Sequence, residues 1–129
     1  MKSRLPTHLY SLLAALGLMA LFTGRLLAAN PEYLAAVADL PLPPGLVEDV
    51  GAGISFDKPV GRIVEALARG TVARTDVSAF YRATLPGLGW KPLADDKAGS
   101  RWQRGGEVLS VDIVDTGDPL LVRFSIAPK

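Results

Sequence analysis

The feature that most constrains the fold is a regular alternation of apolar and polar residues near the C-terminus. Side chains of a β-strand point to opposite faces in turn, so a period of two predicts strands with one buried face and one face in solvent. The pattern predicts a strand over Glu107–Val114 and a last strand over Leu120–Ala127. The residues expected to point inward are Leu109, Val111 and Ile113 in the first segment and Val122, Phe124 and Ile126 in the second.

Glycine and proline mark the turns between the predicted strands. Gly105-Gly106 separates Arg101–Arg104 from the following strand and suits a two-residue hairpin turn, and Asp115–Pro119 predicts the next turn. Trp90–Leu93 predicts a further strand, which is followed by a polar turn over Ala94–Ser100. These segments together predict an antiparallel meander.

One amphipathic helix is predicted ahead of the meander. It begins with Thr75 or Asp76 as the cap and ends at Pro86 or Gly87, and its apolar residues fall at helical spacing. The glycine-bounded segment Gly61–Val72 predicts a strand. The helix is expected to pack through Val77, Phe80, Tyr81 and Leu85 against Val64, Ala66 and Ala68 of that strand.

The expected fold class is therefore α+β, with an antiparallel sheet of four to five strands and one helix packed across one face. This domain is assigned to residues 54–129. Residues 30–53 are interpreted as a short helix over Asn30–Leu40, an extended proline-rich linker over Pro41–Gly45, and a turn that leads to a strand over Ile54–Asp57.

Residues 1–29 have the organisation of a signal peptide. Lys2 and Arg4 precede the apolar run Leu9–Phe22, and Leu27–Ala29 supplies small residues for cleavage. The expected location is periplasmic or secreted. The alternative is an uncleaved leader, in which residues 9–23 anchor the protein to the inner membrane, and this is the only case in which a membrane partner is expected.

Charge and composition exclude several functions. Lys2, Arg4 and Arg25 lie in the leader, so 11 of the 14 basic residues remain against 13 acids, and the domain has a net charge of −2. We therefore expect no nucleic-acid partner. The chain has no cysteine, and its one histidine, His8, lies in the leader. Without these groups we expect no cofactor, no metal site and no enzymatic activity.

Two acidic motifs resemble functional sites. Asp115-Thr116-Gly117 resembles the active-site loop of aspartic proteases, but only twelve residues follow it and they predict a single strand. The motif is therefore interpreted as a hairpin turn with no catalytic residue. Asp112, Asp115 and Asp118 recur at every third residue, but they lack the ligand spacing of a calcium loop and are interpreted as solvated acids.

A basic and aromatic patch is the candidate for partner binding. Trp102 stands on a short predicted strand between Arg101 and Arg104, and Arg123 is expected near them. A half-exposed tryptophan flanked by arginines suits an anionic or peptide partner. The predicted patch therefore consists of Arg101, Trp102, Arg104 and Arg123.

The run from Phe80-Tyr81 through Leu85-Pro86 to Gly89-Trp90 resembles the FY…LPxLGW signature of small exported bacterial α+β domains of unknown function. The resemblance covers roughly residues 61–128 and implies a helix that crosses a small antiparallel sheet. It implies no activity. We therefore expect a non-catalytic envelope module that binds a protein or cell-wall partner. The alternative is a small-ligand-binding or carboxylate-based enzyme domain of the periplasm, and the oligomeric state stays open.

Overall fold

Seven antiparallel strands form the main sheet of the protein, whose computed structural model describes residues 31–95 and 99–129. The predicted signal peptide lies outside the described residues, as does part of the predicted turn over Ala94–Ser100. The α+β class is confirmed, but the sheet has more strands than the four to five expected. Two further strands, β1 (Tyr33–Leu34) and β2 (Val37–Pro41), form a separate small sheet.

The main sheet has a meander at one side and two short strands at the other. Its order is β3-β5-β9-β8-β7-β6, and β4 pairs with β5 beyond the end of β3. Gly105-Gly106 and the segment after Asp115 connect antiparallel neighbours, which confirms both predicted hairpins. The strands are β3 (Val47–Glu48), β4 (Ile54–Lys58), β5 (Gly61–Gly70), β6 (Lys91–Asp95), β7 (Gly99–Arg104), β8 (Glu107–Asp115) and β9 (Leu120–Pro128).

The core lies on one face of this sheet, as the alternating pattern predicts. Val64, Ala66 and Ala68 of β5 are buried, and every second residue between Leu120 and Ile126 on β9 is buried with them. The intervening residues of both strands are exposed or half-buried. Small side chains on β5 leave room for the helix above the sheet.

The single described α-helix, α1 (Arg74–Thr84), packs on this face through Val77 and Tyr81. Its cap position is Ala73, two to three residues before the predicted cap at Thr75 or Asp76, and Ala73 makes no side-chain cap. A 3₁₀ turn over Leu85–Leu88 continues it. Gly89 then adopts a left-handed conformation, with φ of 88°, and turns the chain into β6.

The predicted helix over Asn30–Leu40 is wrong, because this segment forms the hairpin of β1 and β2, hereafter the N-terminal hairpin. Leu34, Val37 and Leu40 are nearly completely buried in the core. Their spacing fits a helix as well as it fits this hairpin. An isolated helix of about ten residues is marginal in water, so tertiary packing decides the conformation of such a segment.

The predicted linker is also part of the packed structure. Leu42 and Leu46 are buried with the core, and the Leu42 backbone N–H donates a hydrogen bond to the carbonyl oxygen of Glu32 at 2.7 Å. The compact unit is therefore residues 31–129 rather than residues 54–129. Among the described residues, no helix has both the length and the apolar character needed to cross a membrane.

Candidate functional site

The predicted patch of Arg101, Trp102, Arg104 and Arg123 is divided between the two faces of the sheet. Trp102 and Arg104 are two residues apart on β7 and share the covered face, whereas Arg101 points to the opposite face. Arg123 lies on that opposite face too, since its neighbours Val122 and Phe124 are buried in the core. The four residues therefore do not form one surface.

Trp102 belongs to the core and is not half-exposed. Only 4% of its surface is accessible, and its indole Nε1–H donates a hydrogen bond to Ser100 Oγ at 2.9 Å. It pairs with Leu109 of β8, which is completely buried. Trp102 is buried because it lies on the face of β7 that α1 covers.

Arg104 joins three parts of the covered face. Its guanidinium lies over the Trp90 ring, with Cζ 4.3 Å from the ring centroid. Its Nη1 donates to Asp39 Oδ2 at 2.6 Å and to the Leu88 carbonyl oxygen at 3.1 Å. The hydrogen bond from Arg104 lowers the pKa of Asp39 below its ordinary value of 3.8. Arg104 therefore links β7 to the N-terminal hairpin and to the end of the helical layer.

The face of the main sheet opposite α1, hereafter the open face, is the larger candidate surface. Register places its side chains together, because directly paired residues of antiparallel strands point to the same face. None of its members is buried. On the edge strand β4 and the four central strands they are Ile54, Phe56, Ile63, Glu65, Leu67, Arg69, Leu121, Arg123, Ser125, Ala127, Val108, Ser110, Asp112, Arg101 and Gln103.

An apolar row crosses one end of the open face. Phe56 pairs with Ile63, Val108 pairs with Ala127, and Ile63 lies beside Ala127, one residue beyond the Val64–Ile126 pair. The apolar row therefore runs across β4, β5, β9 and β8. Phe56 is 45% exposed, and Ile54, two residues away on the same face, is 55% exposed. Large apolar side chains in adjacent exposed positions mark interaction surfaces.

Charged residues occupy the middle of the open face. Asp112 lies opposite Arg123 in the β8–β9 pairing, but its Oδ1 accepts a hydrogen bond from Arg101 Nη1 at 2.6 Å. Arg123 forms no ion pair with any residue that the structure describes. The open face therefore presents an exposed guanidinium at its middle, four residues along β9 from Ala127 of the apolar row.

Alternation along the chain could have identified this surface only in part. Ile54 and Phe56 alternate with Ser55 and Asp57, so the pattern shows that they share a face. Strand alternation alone does not show which face of an edge strand is covered. The strand over Ile54–Asp57 was predicted, but the exposure of its apolar side chains was not.

The acidic motifs add no further site within the described structure. Asp115 ends β8, and Asp118 Oδ1 accepts a hydrogen bond from Thr71 Oγ1 at 3.0 Å. No group of three or more acidic or histidine side chains suited to a metal ion occurs among residues 31–95 and 99–129. A comparison of the chain with protein-family models, with curated proteins and with solved structures gives no match.

Proposed function

We propose that the protein is an exported, non-catalytic module that binds a protein partner in the cell envelope through the open face of its sheet. The single observation that carries the proposal is the apolar row with its exposed neighbour Ile54. These side chains are accessible on a face that no described element covers. The buried centre of a protein interface is typically apolar and is surrounded by polar groups.

The exposed guanidinium at the middle of the open face indicates what the partner presents. Arg123 has no acidic partner within the described residues, whereas Arg101 is already paired with Asp112. A partner with apolar side chains would cover the apolar row, and one carboxylate on that partner would pair with Arg123. Arginine also gains more from a carboxylate than lysine does, because its planar fork can donate two parallel hydrogen bonds.

Two features of the sequence support the rest of the proposal. The apolar run Leu9–Phe22, with basic residues before it and small residues after it, supports export. The absence of histidine and cysteine from residues 30–129 supports a binding role, because the most frequent general base at neutral pH and the thiol nucleophile are missing.

Site-specific photo-crosslinking in cells tests the proposed surface. A photoreactive phenylalanine analogue at Phe56 should give a discrete protein adduct, and Arg123→Glu should abolish that adduct. The same analogue at Ala79, an exposed position of α1, should give none. Equal adducts at both positions, or none at Phe56, would contradict the proposal. An adduct that muramidase releases would instead indicate a cell-wall partner.

The proposed export has its own measurement. The intact mass of protein recovered from the exported fraction should correspond to cleavage close to Ala29. Recovery of the full-length chain with the membranes would contradict a soluble exported module. It would favour the alternative in which residues 9–23 act as an anchor.

A further inference from the structure

We propose that a cavity beside the end of α1 binds a small apolar α-amino acid in its free, zwitterionic form. The cavity has a volume of 320 Å³ and is open to solvent on one side, and its lining residues other than Ser100 and Trp102 are exposed. It lies on the covered side of the sheet, so the inference goes beyond the function proposed for the open face. Its lining includes Arg82, Pro86, Pro92, Ala94, Asp95 and Trp102.

The cavity forms where the helical layer meets the edge of the sheet. Pro86 stands in the 3₁₀ turn that follows α1, and β6 is the edge strand next to β7. The β6–β7 register shifts between Pro92 and Ala94, so Leu93 is an extra residue in a bulge. Bulges redirect neighbouring side chains and are frequent beside binding sites. Here the bulge lies in the wall of the cavity.

The wall of the cavity is largely apolar. Pro86, Pro92 and Ala94 contribute hydrocarbon, and Trp102 contributes its indole from the core. Ligand sites typically have volumes of about 300 to 1,000 Å³, and this cavity lies at the small end of that range. Its volume is sufficient for the side chain of one apolar residue.

A pair of opposite charges stands at the cavity. Arg82 Nη2 donates a hydrogen bond to Asp95 Oδ2 at 3.1 Å, and their side chains are 65% and 56% exposed. Such exposed ion pairs contribute little to stability, so a ligand can replace their mutual contact at little cost. The pair therefore offers one cation and one anion that are side by side and accessible.

The chemistry of the ligand follows from this pair. A carboxylate beside Arg82 and an ammonium beside Asp95 would each gain a charge-assisted hydrogen bond. An α-amino acid carries both groups on one carbon atom, which matches two protein charges that are in direct contact. A simple carboxylic acid would place its charge against Asp95, and a simple amine would leave Arg82 without a partner. Only the zwitterion complements both groups while its side chain enters the cavity.

The test is a titration of the full exported chain with L-leucine, followed through the indole N–H signals by NMR. The chain has two tryptophans. Ser100→Ala identifies the Trp102 signal, because it removes the acceptor of that indole N–H. We expect L-leucine to shift the Trp102 signal with saturation, at a Kd of about 1 mM or lower. The Trp90 signal should move less.

Matched ligands and variants make the test specific. 4-Methylpentanoate and isopentylamine, which each lack one charge of leucine, should bind at least about tenfold more weakly. Arg82→Gln and Asp95→Asn should have the same effect while their thermal unfolding stays close to that of the wild type. Arg69→Gln removes an exposed arginine of the open face and should leave binding unchanged.

Three results would overturn the inference. The first is the absence of a saturable shift of the Trp102 signal. The second is binding of the two singly charged analogues as tight as that of L-leucine. The third is unchanged binding of L-leucine by both Arg82→Gln and Asp95→Asn. The crosslinking experiment at Phe56 is independent of this outcome, because it probes the other face of the sheet.

Discussion

Tyr81 is the side chain through which the helix is most firmly held. It is 1% exposed, and its hydroxyl donates a hydrogen bond to the Pro41 carbonyl oxygen at 2.9 Å. Its ring meets Phe80 and Phe124 edge to face, with centroid distances of 5.1 Å and 5.7 Å. The sequence pattern places Phe80 on the same packing face as Tyr81, but Phe80 is only partly buried. The hydroxyl of Tyr81 is thus a link between α1 and the end of β2.

We expect Tyr81→Ala to be the most damaging substitution on the helix. Loss of a buried aromatic ring costs about 3–5 kcal/mol, which is much of the stability of a small domain. Phe80→Ala should cost less, since that ring is partly in solvent already. Urea unfolding followed by circular dichroism measures both variants. A larger loss of unfolding free energy in Phe80→Ala than in Tyr81→Ala would contradict this assignment.

Burial of Tyr81 also predicts an alkaline dependence of stability. Desolvation raises the pKa of Tyr81 above its ordinary value of 10.0. The folded state therefore holds this proton more tightly than the unfolded state does. The resulting stability is complete below about pH 10 and decreases as the pH rises above it.

Tyr81→Phe should remove this contribution to the loss of stability at alkaline pH. The variant also lacks the hydrogen bond to Pro41, which should lower the free energy of unfolding by about 0.5–1.5 kcal/mol. Tyr33→Phe is the control, because Tyr33 is half exposed and its replacement should leave the pH profile unchanged. The measurement is the urea midpoint between pH 8 and pH 11. Parallel profiles for the wild type and Tyr81→Phe would show that Tyr81 does not cause the loss of stability at alkaline pH.

At the scale of elements, a close backbone approach joins the start of the domain to β5. A Cβ atom at Gly70 would lie 1.9 Å from the Gly45 carbonyl oxygen, which is backbone and has little freedom to move. Glycine at position 70 therefore lets the turn at Pro44-Gly45 pack against the end of β5. This contact is available only to a residue without a side chain.

Gly70→Ala should destabilise the protein by about 1–3 kcal/mol, since the added methyl group forces backbone to shift. Gly87→Ala is the matched control, because a Cβ atom at Gly87 meets nothing within 4 Å. Its effect should stay within about 0.5 kcal/mol. Thermal unfolding of both variants provides the comparison, and equal melting temperatures would show that the Gly45–Gly70 contact does not constrain the fold.

At the scale of the whole molecule, the N-terminal hairpin is part of the core. Leu34, Val37 and Leu40 are each 1% exposed, and Arg104 holds Asp39 at 2.6 Å. The layer that covers this face of the sheet therefore has two parts, the helix and the N-terminal hairpin. A domain with only about 100 residues has little apolar surface to spare, so this second part is needed to complete the core.

Leu40→Ala distinguishes a core element from a linker. We expect a loss of about 2–5 kcal/mol, the usual cost of removing a buried leucine side chain. Val50→Ala, at a position that is 64% exposed, should change the free energy of unfolding by less than about 0.5 kcal/mol. A neutral Leu40→Ala would restore the interpretation of residues 30–53 as a connector outside the domain.

Much of the fold could be predicted from the chain itself, and the successful predictions share a physical cause. Strong alternation in β8 and β9, glycines at the hairpin turn and helical spacing over α1 are local properties, and the structure confirms all of them. Val64, Ala66 and Ala68 were also placed correctly on the inner face. Each of these features depends on neighbours within a few residues.

The candidate site was less predictable. Period-two alternation on β7 already separates Arg101 from Trp102, so the predicted patch could have been divided from the sequence alone. The cavity at Trp102 could not have been found in this way. Arg82 and Asp95 lie on different elements, and only the packing of α1 against the sheet edge brings them to 3.1 Å.

The amino-acid sequence by itself thus determined the α+β class, the meander, the helix and the inner residues of the central strands. The tertiary structure decided that residues 33–41 form a hairpin and that Trp102 is buried. It also decided that Ile54 and Phe56 face solvent. Local patterns specify which side chains share a face, because strand and helix periods are set by backbone geometry. Which face is covered depends on distant segments, since burial is a property of the whole packed domain.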